Sequence, residues 1–295
     1  MTSPRLIILT TEREKFRLAN ADRVKMMSEA LKSRYNVCVA VELTEALIES
    51  LTADDVLFVR SKVVALTERA LSLKNKCRVL IESPCAIFAD DNKETFKVLC
   101  RKMGVDTPKS YYDLSQLEYP VFVKPANLGD SIGIDETSLC YTKYEAKTKC
   151  EELLTKYDAI PMIEPYIVGE EYTVAVLYHN GNCYTAPLYL TCGNVALTYD
   201  VKQQDSETMA RVLDVNNELD SLAKKIADRI GVARMCRIDF IRDCSGKYHA
   251  LEINVFPGLG ENGYMFQALS RDFGWNYEQF LTMAIGHEPN PLTGR

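Results

Sequence analysis

Between Arg237 and Asn254 the chain alternates apolar and ionic residues on both sides of a Ser245-Gly246 turn: Arg237-Ile238-Asp239-Phe240-Ile241, then Leu251-Glu252-Ile253-Asn254. Such alternation fits two β-strands with one face buried and one face polar. A hairpin centred on Ser245-Gly246 sets Asp239 opposite Glu252 and Arg237 opposite Asn254. All four then share a face, because residues two apart point the same way. Ile238, Phe240, Leu251 and Ile253 fall on the other face and are expected in a core. Directly opposed side chains have Cβ atoms about 4.5–5.5 Å apart. Two carboxylates at that spacing repel unless cations lie between them. Hard divalent ions take oxygen ligands, and Mg²⁺ uses one or two carboxylates together with substrate phosphates. The face reads as a Mg²⁺–nucleotide platform, or otherwise as an ordinary solvated sheet face.

The rest of the chain reads as a mixed α/β protein. The 295 residues suggest two domains, with one or three also compatible. Strand-like runs at Leu6–Leu9, Val37–Val41, Val56–Val59 and Val79–Ile81 alternate with helical spacing at Arg23–Lys32 and Val64–Leu73. That rhythm predicts an open parallel sheet covered by helices. No Gly-x-Gly-x-x-Gly follows the first strand, which disfavours a dinucleotide site there. Asp90, Asp91 or Asn92 is placed to cap a helix running to Met103 before Gly104. Further helices are expected at Tyr144–Tyr157, Asn217–Ile230 and Phe273–Ile285. Met162–Ile167 and Tyr172–Tyr178 read as strands joined by a tight turn at Val168-Gly169.

Composition removes several function classes. A net charge of −6 argues against general nucleic-acid binding, which needs a basic face. No apolar run reaches the length of a membrane span, and Met1–Leu9 lacks the core and cleavage pattern of an export signal. The ten cysteines are irregularly spaced with no Cys-x-x-Cys, so they are expected as reduced thiols in a cytosolic protein, mostly buried, and not as a zinc site.

Two more segments carry chemistry. In Val121-Phe122-Val123-Lys124-Pro125-Ala126-Asn127-Leu128-Gly129-Asp130-Ser131-Ile132-Gly133 an apolar strand delivers a lysine into a glycine loop whose N–H groups can cradle phosphate oxygens. In Ile163-Glu164-Pro165-Tyr166-Ile167-Val168-Gly169-Glu170-Glu171 two acids lie where Glu164 could accept from an adenine amino group and Glu171 could hold ribose hydroxyls. Read singly, each segment is also compatible with an ordinary loop or strand pair.

Taken together and in order from Asp91 to Gly258, these segments resemble the ATP-grasp superfamily and within it the D-alanine–D-alanine ligases. The resemblance implies an α/β chain with α+β lobes: an N-terminal open parallel-sheet domain (1–86), a central ATP-grasp lobe (87–166) and a C-terminal catalytic lobe (167–295), the last two clamping ATP. It implies that Lys93 and Lys124 bind phosphates and that Glu164, with backbone groups at Tyr166 and Ile167, holds adenine. Glu171 would take ribose, and Asp239, Glu252 and Asn254 two Mg²⁺ ions, Mn²⁺ being possible. Arg237 would stabilise the anionic centre, Ser131 would belong to the catalytic glycine loop, and Lys202 would come from a mobile loop over the γ-phosphate.

The activity implied is an ATP-dependent carboxylate–amine ligase working through an acyl phosphate. Its alternatives are D-Ala–D-Ala ligation proper, or nucleotide binding without ligation. The partners implied are small amino-acid or peptide-like substrates and a second copy in a homodimer. The chain departs from the family at the amino-acid pocket. Thr10-Thr11-Glu12-Arg13-Glu14 replaces a glycine-rich segment, leaving Glu12 or Glu14 to hold an ammonium. Asp130 stands where the family has serine. Leu259-Gly260-Glu261-Asn262-Gly263 follows Pro257-Gly258 where a hydroxyl is usual. The pocket expected is therefore Glu12, Glu14, Asp130, Gly258 and Glu261, suited to an acceptor with an extra amine.

Overall fold

The structure, a computed structural model, describes residues 4–11, 23–129, 131–190, 210–211 and 217–286. Glu12, Glu14, Asp130 and Lys202 lie outside the described residues. Three sheets organise what is described.

The first sheet is parallel. Strands β1 (Arg5–Leu9), β2 (Asn36–Ala40), β3 (Val56–Val59) and β4 (Arg78–Leu80) take the order β2-β1-β3-β4, with helices α1 (Arg23–Leu31), α2 (Glu45–Ser50) and α3 (Val64–Leu71) between them. Beyond Arg5, Asn36 and Arg78 at their first positions its strands are apolar, because both faces are covered. Leu6 and Ile8 join Met27 and Leu31 in one core, while Ile7 and Leu9 join Leu43, Leu51 and Ala70 in another.

Helices α4 (Pro84–Asp91) and α5 (Lys93–Lys102) come next. The helix expected to run to Met103 from a cap at Asp90, Asp91 or Asn92 is α5: Asn92 is extended and caps it, accepting from the N–H groups of Glu94 at 2.9 Å and Thr95 at 3.2 Å, while α4 before it has no counterpart in the sequence reading. The second sheet, β6-β5-β7, consists of β5 (Val121–Pro125), β6 (Leu139–Cys140) and β7 (Pro161–Pro165), backed by α6 (Lys143–Tyr157).

The third sheet contains β8 (Gly169–His179), β9 (Asn182–Leu190), β10 (Ala210–Arg211), β11 (Met235–Asp243) and β12 (Tyr248–Asn254) in the order β10-β9-β8-β11-β12. Helix α7 (Asn217–Ile230) covers one face together with α4 and α5. Helices α8 (Tyr264–Phe273) and α9 (Tyr277–Ala284) cover the other. The closing helix expected at Phe273–Ile285 is α9, which starts four residues later at Tyr277, and α8 before it has no counterpart in the sequence reading. Gly274 stops α8 at φ +67°, and Asn276 caps α9.

Two expectations about strands are corrected. β7 and β8 do not form a hairpin: β7 pairs with β5, β8 pairs with β9 and β11, and residues 166–168 cross between two sheets. Gly169 is required there for close approach, since a Cβ would lie 2.1 Å from the Arg242 carbonyl oxygen. In the β11–β12 hairpin the pairing of Arg237 with Asn254 and Asp239 with Glu252 holds. A bulge then shifts the register, so that Phe240 meets Ala250. Ala250, not Leu251, takes the core position.

α9 fastens the molecule together. Phe280 and Leu281 share a core with Leu6, Ile8, Met27 and Leu31 of the first lobe. Its orphan C-terminal carbonyls are met by guanidiniums: Arg78 on β4 donates to Ile285 O at 2.5 Å, and Arg234 donates to Ala284 O at 3.0 Å and Gly286 O at 2.8 Å. Glu82, just after β4 and buried, accepts from the N–H groups of Ala233, Arg234 and Met235 at 2.8–3.0 Å. No disulfide forms among the described cysteines. Four of them are buried (Cys77, Cys100, Cys140, Cys236) and two are exposed (Cys85, Cys244), so burial is less general than composition suggests. No helix among the described residues is long and apolar enough to cross a membrane.

Candidate active site

The polar face of the β11–β12 hairpin borders a cavity of about 720 Å³ that also reaches the first lobe. The cavity brings together Lys93, Arg237, Glu252, Asn254, Gly258 and Glu261 from the sequence-predicted set, with Gly129 at the start of the glycine loop. Lys124, Ser131, Glu164, Tyr166, Ile167, Glu171 and Asp239 do not line it.

Each hairpin carboxylate has its own cation. Arg237 donates to Asp239 through Nε at 3.0 Å and Nη2 at 3.2 Å, and Thr173 donates its hydroxyl to the same carboxylate at 2.5 Å. Burial opposes the charge on Arg237, but the Asp239 carboxylate outweighs it and holds the guanidinium well above its ordinary pKa. Arg237 also lies over the Tyr264 ring, 5.5 Å from its centroid. Across the hairpin, Lys93 Nζ sits 3.0 Å from Glu252 Oε2 and donates to Leu128 O at 2.5 Å. Lys93 therefore joins the hairpin to the glycine loop. The Asn254 side-chain oxygen accepts from Phe256 N–H at 2.9 Å, which orients it on the same face as Asp239 and Glu252. Two carboxylates and an amide oxygen form an all-oxygen donor set suited to a hard cation such as Mg²⁺.

A buried triad joins α5 to the second sheet. β5 and β7 pair Lys124 with Met162 and Phe122 with Glu164, making Lys124 and Glu164 diagonal neighbours on one face. Lys124 Nζ is 2.6 Å from Glu164 Oε1, and Lys97 Nζ from α5 contacts Glu164 Oε2. Burial works against the Glu164 charge, but the two ammoniums outweigh it and hold its pKa below the usual range. Sequence reading passes over Lys97 because a lysine in an amphipathic helix looks like a solvated one.

The glycine loop after β5 is shaped by positive φ at Ser131 (+57°) and Gly133 (+74°). A Cβ at Gly133 would lie 2.8 Å from Leu153 Cδ2, so packing as well as backbone requires glycine there. Asn127 accepts from Ile160 N–H at 2.9 Å, which pins the loop's start. Tyr166 and Ile167 lie in the crossing between sheets, with the Tyr166 ring 6.3 Å from Phe122, and Glu171 lies on β8 opposite Ile241. Ser131 is buried.

Two first-lobe residues at the cavity escape sequence reading. Arg60 follows β3 and donates to the carbonyls of Phe256 at 2.8 Å and Pro257 at 2.7 Å, between the Phe58 and Phe256 rings. A signal existed, since the carboxyl ends of parallel strands are where such sheets bind ligands. Arg23, at the start of α1, lies across the 258–263 loop, its Nε 3.6 Å from where a Cβ on Gly260 would sit. A cation thus stands at the loop that carries exposed Glu261, an acid of the expected pocket.

This architecture, three sheets with a carboxylate hairpin bordering a cavity and a buried Lys–Glu pair on the second sheet, is the ATP-grasp fold. The chain belongs to the D-alanine–D-alanine ligase family: residues 92–285 match the model of the D-Ala–D-Ala ligase C-terminus. It is 33% identical over 200 residues to the D-alanine–D-alanine ligase of Fusobacterium nucleatum, a match covering 66% of each chain. It is 32% identical over 176 residues to D-alanine–D-alanine ligase B of Pseudomonas syringae pv. tomato, covering 58% of this chain and 52% of that one. The matches thus span roughly half to just under two thirds of those relatives' length. Among solved structures, the Bacillus anthracis D-alanine–D-alanine ligase complexed with ATP aligns with a TM-score of 0.75 at 17% identity, over 96% of both chains. The VanG D-Ala:D-Ser ligase of Enterococcus faecalis aligns at 0.71 and 14%, over 97% of this chain and 99% of that one.

Proposed function

We propose that the protein is an ATP-dependent carboxylate–amine ligase that forms a dipeptide or amide, releasing ADP and phosphate. The observation that carries this reading is the hairpin face beside the cavity. There Asp239 and Glu252 stand opposed, each held by its own cation, with Arg237 and Asn254 completing the set. A protein that only bound nucleotide would not need so elaborate an anionic platform, which disfavours the non-ligating alternative.

In this reading Lys93 and Lys124 neutralise the phosphates, Glu164 and the backbone at Tyr166 and Ile167 hold adenine, and Glu171 holds ribose. Asp239, Glu252 and Asn254 would hold Mg²⁺, which screens phosphate charge when bound. The substrate carboxylate attacks the γ-phosphorus, forming an acyl phosphate and releasing ADP. The amine then adds to the acyl carbon, loses its proton, and phosphate departs. Arg237, pinned by Asp239 and Tyr264, is the donor for the oxyanion of that tetrahedral intermediate; one such donor is typically worth about 2.7–4 kcal/mol. Ser131 and the N–H groups of the glycine loop act at the phosphates, Lys202 is assigned to the γ-phosphate by resemblance alone, and water is kept from the acyl phosphate.

D-Ala–D-Ala ligation is the second reading, favoured by the names of the relatives. The departures at Asp130 and at 259–263, with Arg23 brought against Gly260, favour a different acceptor. Glu12, Glu14, Asp130, Gly258 and Glu261 belong to the proposed amino-acid pocket, and a homodimer in the cytosol belongs to the same reading by resemblance alone.

The deciding experiment is ATP turnover with Mg²⁺ against pools of D- and L-amino acids, with mass spectrometry of the products. A condensation product carries the ligase reading, and its mass names the substrates. ADP formation without any condensation product overturns it.

A further inference from the structure

Lys97 has no part in the chemistry proposed above, yet it is fully buried. It lies one turn beyond Lys93 on α5, and the two lysines serve different lobes. Lys93 meets Glu252 on β12, and Lys97 meets Glu164 on β7, whose other oxygen holds Lys124. The side chains of Lys97, Glu164 and Lys124 are 0%, 5% and 8% exposed. Glu94 on the same helix also acts on Lys97, but its carboxylate is engaged by Arg101, Ser110 and Tyr112. Two ammoniums and one carboxylate therefore share a dry pocket with one positive charge in excess. Burial, aided by the Lys124 charge and opposed by Glu164, pulls the Lys97 pKa down. A buried surplus of positive charge is favourable where an anion can reach it.

We infer that Lys97 is a positioning residue for the nucleotide: it is the lasting counter-ion of Glu164, and so frees Lys124 to exchange Glu164 for a phosphate oxygen. The inference rests on the nucleotide reading above. With Lys97 in place, Lys124 leaves behind a neutral Lys97–Glu164 pair, and the vacated carboxylate oxygen can accept from an amino group of the base. Without Lys97 the pocket is neutral before nucleotide arrives. Any phosphate that draws Lys124 away then strands a bare carboxylate in a dry site, so Glu164 becomes a trap for Lys124. Lys97 thus decides whether Glu164 assists nucleotide binding or opposes it.

The test is calorimetric affinity for ATP with Mg²⁺, with unfolding curves to show that each variant is folded. Lys97→Met is expected to weaken binding about 30-fold or more, and Lys97→Arg to stay within about threefold of wild type. Lys97→Gln, which keeps a donor for Glu164 and removes only the charge, carries the same expectation as Lys97→Met and serves if that variant does not fold. The decisive readout is a change of sign. Glu164→Gln should weaken binding in the wild-type background and strengthen it in the Lys97→Gln background, because the trap is gone. A merely structural lysine would give two losses that add. Wild-type protein that binds ATP while Lys97→Gln binds it equally well, or a double variant no better than Lys97→Gln alone, overturns the inference and leaves the nucleotide reading standing. Wild-type protein that binds no ATP overturns both.

Discussion

Asp239 is held by Arg237 on one side and Thr173 on the other, so its charge is fixed in place before any ligand arrives. Replacing it with asparagine keeps the size and removes the charge. Turnover should fall about a hundredfold or more, the scale of a lost metal-holding carboxylate, while the far-ultraviolet spectrum is unchanged; retention of near-normal turnover would remove Asp239 from the site. Glu82 makes a different prediction. Burial pushes its pKa up to about 7 from 4.5, against the N–H groups and the Arg234 charge that favour the carboxylate. The folded protein holds this proton more tightly than the unfolded chain. The associated stability is therefore complete below about 4.5 and is lost as pH rises through about 7. Urea midpoints followed across that window should decline less steeply in Glu82→Gln than in wild type. Cys236 lies beside Arg237, but burial drives its thiol pKa far up, so it is not an oxidation point; among the described cysteines the exposed Cys85 and Cys244 should react with a thiol reagent first.

At the scale of elements, α5 and the glycine loop make the clearest demands. Asn92 caps α5 immediately before Lys93, and Asn92→Ala should cost about 1 kcal/mol in unfolding free energy. Because the frayed turn carries Lys93, the KM for ATP should rise as well. Gly133→Ala meets both a left-handed backbone and Leu153, and should destabilise by more than ~1 kcal/mol, read as a lowered thermal midpoint. The hairpin register near the site is legible in the sequence because alternation with period two pins both faces, and a slip by one would bury Asp239 and Glu252. The bulge beyond Asp239 is not legible, since nothing in Ala250-Leu251 announces an extra residue. The turn foreseen at Val168-Gly169 fails for a related reason. Glycine signals either a turn or a close backbone approach, and only the pairing of β8 with β11 shows which. Lys97 and Arg60 are invisible for want of partners in sequence, as each acquires its meaning from residues far along the chain.

The whole molecule depends on contacts between the first lobe and the rest. Arg60 ties the carbonyls of Phe256 and Pro257 to the end of β3. Arg60→Met should raise the KM for the amino-acid substrates while leaving ATP affinity within about twofold, because the nucleotide face lies on other lobes; a parallel loss of ATP affinity would mean that the cavity and the hairpin move as one body. The packing of α9 against α1 and β1 has a consequence for synthesis. Nascent chains generally complete their domains in order, the first made folding first. Here the first sheet leaves the ribosome well before α9 does, so it lacks Phe280 and Leu281 for its own core, and the guanidinium of Arg78 has no Ile285 carbonyl to meet. Its apolar flank stays open until residues 264–284 emerge, which exposes the growing chain to chaperones and to premature aggregation in that interval.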